Sequence, residues 1–551
     1  MKRAAVVALV LAAAGALRVV GIGYGLPQVF NSDEPHIVNV AVALGRGSLN
    51  PYSFKYPTLW PTVLFFSYGA YYSVWSVFGT RHHVADFIAR FAWDPSAFYL
   101  IGRGLAAVFS FLALLVLWKT ESKKAAIPWG ALMLAFSPAL IESAHSTKPD
   151  SIMLFFAAGA WFSALRVYRD GSRHWHWACG ACLGLALSCQ YTAFVAFLLL
   201  PLAHFLGRKR EKRRWLWEGA GVSVGAFLLG SPYALLDFPK FYSSLRDFSY
   251  LAGAREVSQW TTAKAVLVKV VNFAGDGSIA GAALLIGLGF ALLEDKRRAA
   301  LLGGPILAYV LFLGNHPDGS WPRYLFGCYP GMALLASEGL TRLLARRGRV
   351  WIGLAAVLCL GPGLIASWTY DRELLVPDTR LLAQVWIESN LPQGSVMLLD
   401  STHASPRLVM IKEELAELAA KTAKAGSPRS RLYEAMRDSH PGGGYRIYQI
   451  QRSAADLRSN PAHVALSQAD APTLDVRSGL DSARAMRIGY VVTSSYGANP
   501  ARARELSSFF EELYTQAELV KEFVPEYGAV SGPLLRVYRV VSYTNRRLGK
   551  A

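Results

Sequence analysis

Charge is scarce in this chain. Of 551 residues only 17% are Asp, Glu, Lys or Arg, whereas 53% are hydrophobic. So little polar surface excludes a large soluble enzyme and predicts a protein that crosses a membrane many times. Acidic residues are the scarcer sign, 38 against 57 basic. From Asp371 onward 23 basic residues face 20 acidic ones, a balance of +3; the first 370 residues hold 34 against 18, or +16. The excess basicity therefore sits among apolar runs, where short basic loops set orientation, and it gives no reason to expect a nucleic-acid partner. Cysteine is sparse too. Cys179, Cys182, Cys189, Cys328 and Cys359 all fall inside apolar segments and none in the polar last third, which argues against a disulfide framework. The Cys179-x-x-Cys182 pair lacks the βαβ surroundings of a redox motif. No internal repeat occurs, and PGGG at 441–444 is the only low-complexity stretch.

What the chain has in quantity is long apolar sequence. Runs able to cross a hydrocarbon core of about 30 Å, roughly 20 residues each, lie near 4–22, 97–118, 126–143, 150–168, 176–189, 191–206, 215–235, 275–293, 299–314, 323–344 and 350–370. The opening MKRAAVVALVLAAAGALRVVG shares its pattern with a signal peptide and is read as an uncleaved first span; either reading leaves Asp33 outside. A further apolar segment, 57–79, decides the topology. If it crosses, the basic loops at 119–124, 166–174, 207–214, 294–298 and 346–349 all land outside, against the positive-inside rule. If it does not, those loops and the initial MKR are all cytoplasmic. Segment 57–79, rich in tyrosine and tryptophan, is therefore read as one or two helices in or dipping into the outer interface.

The prediction is a polytopic α-helical membrane protein with about 11 spans plus outer interfacial helices, sited in the cytoplasmic (inner) membrane with its N-terminus cytoplasmic. Residues 1–370 form the transmembrane module, with 31–96 as the first outer loop. Residues 371–551 form an α/β domain on the periplasmic or extracellular side. In that domain DTRLLAQVWIESNLP reads as helix, SVMLLD, GYRIYQI, RIGYVVTSS and LLRVYRVVSY as strands, and 501 to about 521 as a long helix.

This topology places on one outer face the stretch FNSDEPHIVNVAVALGRGSLNPYSFKYP (30–57) and the turns ESAHSTKPD (142–150), SPYALLD (231–237) and NHPDGSWPRY (315–324). Asp33 and Glu34 at the end of a span fit an ordinary polar membrane boundary. Asp150 likewise fits the first turn of a helix, whose dipole favours an acid by ~0.3–1 kcal/mol. Neither account explains why Asp33, Glu34, Lys55, His145, Lys148, Asp150, His316 and Arg323 recur at the outer ends of apolar spans. Arg103, about six residues inside its span, either snorkels or faces a partner or wet cavity. Such groups suit a transfer with an anionic leaving group: a carboxylate orients or deprotonates an attacking hydroxyl, and cations neutralise a departing phosphate. Inverting displacement at a sugar carbon has these needs. Asp33, Glu34, Asp150, His145 and His316 could also supply metal ligands, but no compact ligand spacing joins them.

An Asp-Glu pair opening the first outer loop, then GRGSLNPYSFKYP, then an outer turn ending in Asp before a span, resembles the bacterial relatives of protein O-mannosyltransferases. That superfamily has the GT-C fold and includes the aminoarabinose transferase of lipid A. GRGLAAVFSFLALLVLW, the run from Gly180 to YTA, SPYALLD, RYLFGCYP and DTRLLAQVWIESNLP extend the resemblance along the chain. It implies a glycosyltransferase whose donor is a polyprenyl-phosphate-linked monosaccharide and whose acceptor is a glycan, lipid or protein, working among membrane lipids. It implies no cofactor; related oligosaccharyl transferases use a divalent metal, whereas the mannosyltransferase branch resembles a metal-independent enzyme. By the same resemblance Asp33 matches the catalytic acid of the first outer loop, Glu34 completes the pair, and Asp150 matches the second essential acid. Arg323 and Tyr324 match an Arg-Tyr pair facing the lipid phosphate. Lys55 and Tyr56 stand near a phosphate-binding Glu-Lys-Pro-Pro of the relatives, where this chain reads Lys-Tyr-Pro-Thr. Gln190 replaces a lysine common before the aromatic of YTA, and Lys148 or His145 are candidates to substitute for that cation, with Arg103 joining the donor-phosphate set. The competing reading is a transporter or flippase of lipid-linked sugars, which would predict inverted repeats and mid-membrane charges. A membrane-anchored binding protein is a third, and it leaves the acids unexplained.

Overall fold

Apolar residues in unbroken runs fold as helix because lipid offers no partner for backbone N–H and C=O groups, so each must be satisfied within its own segment. The computed structural model describes residues 2–78, 83–121, 127–208, 212–253, 259–315, 321–400, 403–427, 429–451, 471–499 and 504–540. His316 and parts of the loops 119–124, 207–214 and 315–324 lie outside the described residues. The first helices are α1 (Lys2–Ala16), α2 (Glu34–Ala43), α3 (Leu59–Phe78), α4 (Val84–Trp93) and α5 (Ser96–Glu121). They are followed by α6 (Trp129–Ala135), α7 (Pro138–Ala144), α8 (Asp150–Asp170), α9 (Arg173–Leu187), α10 (Leu199–Leu206) and α11 (Arg213–Gly230). Then come α12 (Tyr233–Leu236), α13 (Phe238–Gly253), α14 (Gln259–Val271), α15 (Ala280–Glu294), α16 (Lys296–Gly314), α17 (Tyr329–Leu344) and α18 (Arg349–Leu375). Among the described residues α5, α8, α16 and α18 are long and apolar enough to cross a membrane. Segment 57–79 forms one continuous helix, α3.

The other apolar runs form shorter or interrupted helices, and the interruptions have local causes. Run 126–143 is split into α6 and α7 because Pro138 has no N–H to continue the ladder. The break is satisfied from neighbouring segments: Ser367 Oγ donates to Phe136 O (3.1 Å) and Ser137 Oγ to Phe273 O (2.9 Å). Broken helices survive at membrane depth only with such substitutes. Close helix contact follows from small residues. A Cβ on Gly180 would run into the Gly219 carbonyl, and one on Gly184 into that of Ser223, so α9 and α11 approach backbone to backbone.

The chain groups into two compact units. Unit 1 comprises Met1–Ile22, Gly47–Phe66 and Ile101–Asp371; unit 2 comprises Gly23–Arg46, Ser67–Leu100 and Arg372–Ala551. Two segments of the first hundred residues thus group with the C-terminal domain. In unit 2, Arg407 donates to Pro27 O (3.1 Å) and to Ala92 O, Trp93 Nε1 donates to Ser439 Oγ (3.0 Å), and the Arg380 guanidinium lies 3.6 Å from the Phe30 ring centroid.

The C-terminal part of unit 2 contains α19 (Thr379–Asn390), β1 (Val396–Leu399), α20 (Lys412–Lys424), α21 (Arg429–Asp438), β2 (Arg446–Gln451) and β3 (Thr473–Asp475). It ends with α22 (Asp481–Ala485), β4 (Tyr490–Ser494), α23 (Ser507–Gln516), β5 (Glu518–Phe523) and β6 (Leu535–Arg539). The sheet order is β3-β2-β1-β4-β6-β5, parallel from β3 to β4 and antiparallel from β4 to β5. Leu398 stands opposite Tyr448 on one side and Val491 on the other, and it shares a core with Phe509 and Leu513. The four strands read from the sequence are present. The helix read over 501–521 is corrected: after α23 the chain turns extended as β5, where Glu522 pairs with Arg536 of β6 (2.6 Å). Pairing across the sheet overrides local helical pattern.

Glu414 gives this domain a titration signature. It is 5% exposed on α20, and its Oε2 accepts from Ile447 N of β2 at 3.1 Å. Burial pushes its carboxyl from an ordinary 4.5 up to about 7, against that hydrogen bond. Between these values the unfolded chain has released the proton and the folded chain retains it. Stability contributed by this group is therefore complete below about pH 4.5, falls as pH rises toward 7, and is lost above it, a change of about 3 kcal/mol. Glu414→Gln is expected to match wild type at pH 4 and to exceed it at pH 8 in unfolding experiments on the full chain. Parallel pH curves for the two proteins would refute this assignment.

Candidate functional site

Unit 1 gathers one end of its helices into a polar patch. The segment before α3 is fixed by backbone bonds: Leu59 N donates to Ser188 O (3.1 Å), Thr58 N to Ser231 Oγ (3.1 Å) and Thr58 Oγ1 to Gly230 O (3.1 Å). Asn50 Nδ2 donates to Asp237 Oδ2 at 2.8 Å, tying GRGSLNPYSFKYP to SPYALLD. Tyr191 Oη donates to Phe54 O (3.1 Å), beside the partly exposed Lys55 and Tyr56. The preceding residue, Gln190, donates from Nε2 to Asp150 Oδ1 at 3.4 Å. Phe54 and Asp150 are thus tied to the consecutive residues Tyr191 and Gln190.

Asp150 opens α8 behind Pro149 and is 1% exposed. A carboxylate in a first helical turn faces unsatisfied N–H groups and the positive end of the dipole, which supports its charge despite burial. The turn leading to it is buried throughout: His145, Ser146, Thr147 and Lys148 are all at most 8% exposed. Trp60 Nε1 donates to Thr147 O at 3.0 Å, and a Cβ on Gly102 would collide with the Thr147 side chain, so α3 and α5 both press on this turn. Arg103, next to Gly102, is fully buried with Nη1 donating to Ile22 O at 2.8 Å; it does not snorkel. His145 Nδ1 lies 2.9 Å from Ile141 O and Nε2 lies 2.7 Å from Val20 O. Burial pushes its imidazole down from the usual value, and the two carbonyls oppose that without reversing it. Arg323 and Tyr324 lie on a short 3-10 turn, Pro322–Leu325, packed against α7; the Arg323 guanidinium sits 5.3 Å from the Tyr324 ring centroid and 5.5 Å from that of Trp321.

In unit 2, Asp33 is the partly exposed residue before α2, and its backbone N donates to Asn31 Oδ1 at 3.0 Å. Glu34 is fully buried in the first turn of α2. Two adjacent acids therefore have different surroundings, Asp33 open to solvent and Glu34 enclosed. Among the described residues no three His, Cys, Asp or Glu side chains converge as a metal set.

Two buried charges escaped the sequence reading. Arg18, 1% exposed, donates to Ser110 Oγ (2.9 Å), Ala14 O (2.8 Å), Ala135 O (3.0 Å) and Leu134 O (3.2 Å). Asp371, also 1% exposed, lies 3.8 Å from His145 Nε2. An arginine inside the apolar run 4–22 was the available signal, since charges within spans are costly and seek partners.

Residues 96–234 match the family model of dolichyl-phosphate-mannose-protein mannosyltransferases. Comparison with curated proteins finds no match. Among solved structures, ArnT from Cupriavidus metallidurans in the apo state aligns over 98% of both chains at 13% identity and a TM-score of 0.53. The same protein bound to undecaprenyl phosphate aligns over 96% of this chain and 97% of that one, at 13% identity and a TM-score of 0.52. The apo oligosaccharyltransferase of Archaeoglobus fulgidus aligns over 89% of this chain and 69% of that one, at 13% identity and a TM-score of 0.49. The family match thus spans α5 to α11, and the fold of the whole chain is the one seen in ArnT.

Proposed function

We propose that the protein is an inverting glycosyltransferase that moves one monosaccharide from a polyprenyl-phosphate donor to an acceptor hydroxyl at the outer face of the cytoplasmic membrane. The observation that carries this reading is Asp150, a buried acid at a helix start, flanked by the buried Lys148 and held by Gln190 at the polar end of unit 1. Burying a charge this completely is costly unless the site uses it. The undecaprenyl phosphate bound by ArnT supports a polyprenyl phosphate as the leaving group.

In this reading Asp33 takes the proton of the acceptor hydroxyl as its oxygen forms the new bond to the anomeric carbon. The bond from that carbon to the donor phosphate breaks on the opposite face, which inverts the centre. Lys55 and Arg323 receive the departing phosphate, with Tyr56, Tyr324, Arg103, His145 and Lys148 completing its surroundings. Asp150 positions the acceptor or a cation, and Glu34 supports Asp33. The reaction runs without a resident metal, so EDTA treatment is expected to leave transfer intact.

The test compares membranes with and without the protein. One sugar should be missing from an envelope glycan, lipid or protein, and its lipid-linked donor should accumulate. Purified protein given donor and acceptor should release polyprenyl phosphate; a flippase would release none. Unchanged glycans together with no release would end the proposal.

A further inference from the structure

The opposite end of the same helices carries a second feature that sugar transfer does not use. Arg169 is nineteen residues along α8 from Asp150, which at about 1.5 Å per residue puts the two roughly 28 Å apart. There the ends of α5, α8, α16 and α17 surround a cleft of about 260 Å³ whose lining includes Arg169, Arg298 and Arg342. Its walls are part apolar, with Leu165, Leu302 and Leu334.

Two of the three arginines are already matched. Arg298 Nη1 donates to Glu338 Oε1 at 2.6 Å, and Arg342 pairs with Glu294 while lying 3.9 Å from Glu338. The other lining acid, Glu121, accepts from Gly130 N (3.1 Å) and Ser337 Oγ (2.9 Å). Arg169 differs. It has no hydrogen-bond acceptor or ion pair among the described residues, and the charges of Arg298 and Arg166 act on it more strongly than that of the acid Asp170. A half-buried guanidinium among like charges is stabilised by an anion that brings its own oxygens. Phosphate fits its planar fork, and basic pockets between spans take lipid head groups in this way.

We propose that this cleft binds the phosphate of an anionic phospholipid headgroup through Arg169, with the leucine wall against the glycerol esters. Thr120, Arg169 and Arg298 of the cleft lining belong to the basic stretches 119–124, 166–174 and 294–298, so on the orientation of those stretches the lipid belongs to the cytoplasmic leaflet. This inference is independent of the transfer reading and survives its failure.

The test uses the purified full-length protein in neutral detergent, titrated with short-chain phosphatidylglycerol and followed by native mass spectrometry. One phosphatidylglycerol is expected to bind per chain, about tenfold more weakly in Arg169→Gln, which corresponds to one lost charge-assisted contact. Arg166→Gln, which loses a pair with Asp170 on the same turn, should bind as wild type. Arg169→Lys, which keeps the charge, should retain part of the affinity and guards against a folding defect in the glutamine variant. Phosphatidylcholine and inorganic phosphate at equal concentration should not compete. Undiminished binding by Arg169→Gln, or equal binding of phosphatidylcholine, overturns the proposal. Competition by inorganic phosphate would make the ligand a free ion and overturn it as well.

Discussion

Asp150→Asn is expected to lower the rate of sugar transfer by about 10²–10⁴-fold, the range for loss of a positioned acid or base, while leaving the protein folded. The two effects separate because asparagine keeps the shape and the oxygen that accepts from Gln190 Nε2 at 3.4 Å, and removes only the charge. The lost interaction with the helix dipole is worth up to about 2 kcal/mol for a buried acid, too little to unfold a membrane module. Asp33→Asn should behave alike. Asp33 is partly exposed and makes no side-chain cap to α2. Transfer kinetics of the purified variants measure this, and the loss should appear in kcat more than in KM because the proposed mechanism assigns the lipid phosphate to other residues. Transfer within threefold of wild type in both variants would remove the acids from the mechanism.

The second large effect concerns folding. Arg18→Met is expected to destabilise unit 1 by about 3–5 kcal/mol, the range for removing one member of a buried charged network. The guanidinium bonds the carbonyls of Leu134 and Ala135, the last residues of α6, whose helical partners end there. It also holds Ser110 of α5 and Ala14 of α1, so three helices lose a common anchor. The charge of Asp371 acts on it as well and would be left without its cation. Arg18→Lys should recover only part of the loss, because an ammonium cannot reproduce a fork that reaches four acceptors. Adding Asp371→Asn to Arg18→Met should restore some stability, a non-additivity expected of coupled neighbours. Thermal unfolding in detergent decides the matter, and a change below 1 kcal/mol would show that water or lipid replaces the arginine without cost.

Legibility differed by the kind of interaction. Strands β1, β2, β4 and β6 could be read because alternation and β-branched runs are local, and β4 is buried on both faces as a central strand must be. Strand β5 could not, since ELVKEF becomes a strand only through its partner β6. At the site, Asp150 and Lys148 were visible as charges flanking a span. Their burial was not visible, because it depends on Trp60 and Gly102 arriving from distant sequence. Gln190 stood out as a departure from a pattern; its bond to Asp150 is a tertiary fact.

Composition and order of residues by themselves determined that this chain is a helical membrane protein with a polar α/β domain, and the motifs from Asp33 to Tyr324 pointed to the family whose model matches residues 96–234. These properties follow from local hydrophobicity and from residue types in fixed order, which need no knowledge of contacts. Only the tertiary structure decided that Arg18 is an anchor, that Arg103 is buried against Ile22 and not snorkelling, and that Arg169 lacks an acceptor among the described residues where Arg298 and Arg342 have theirs. The physical reason is that the energy of a charge depends on what surrounds it, and in a low-dielectric interior those surroundings come from segments far apart in sequence.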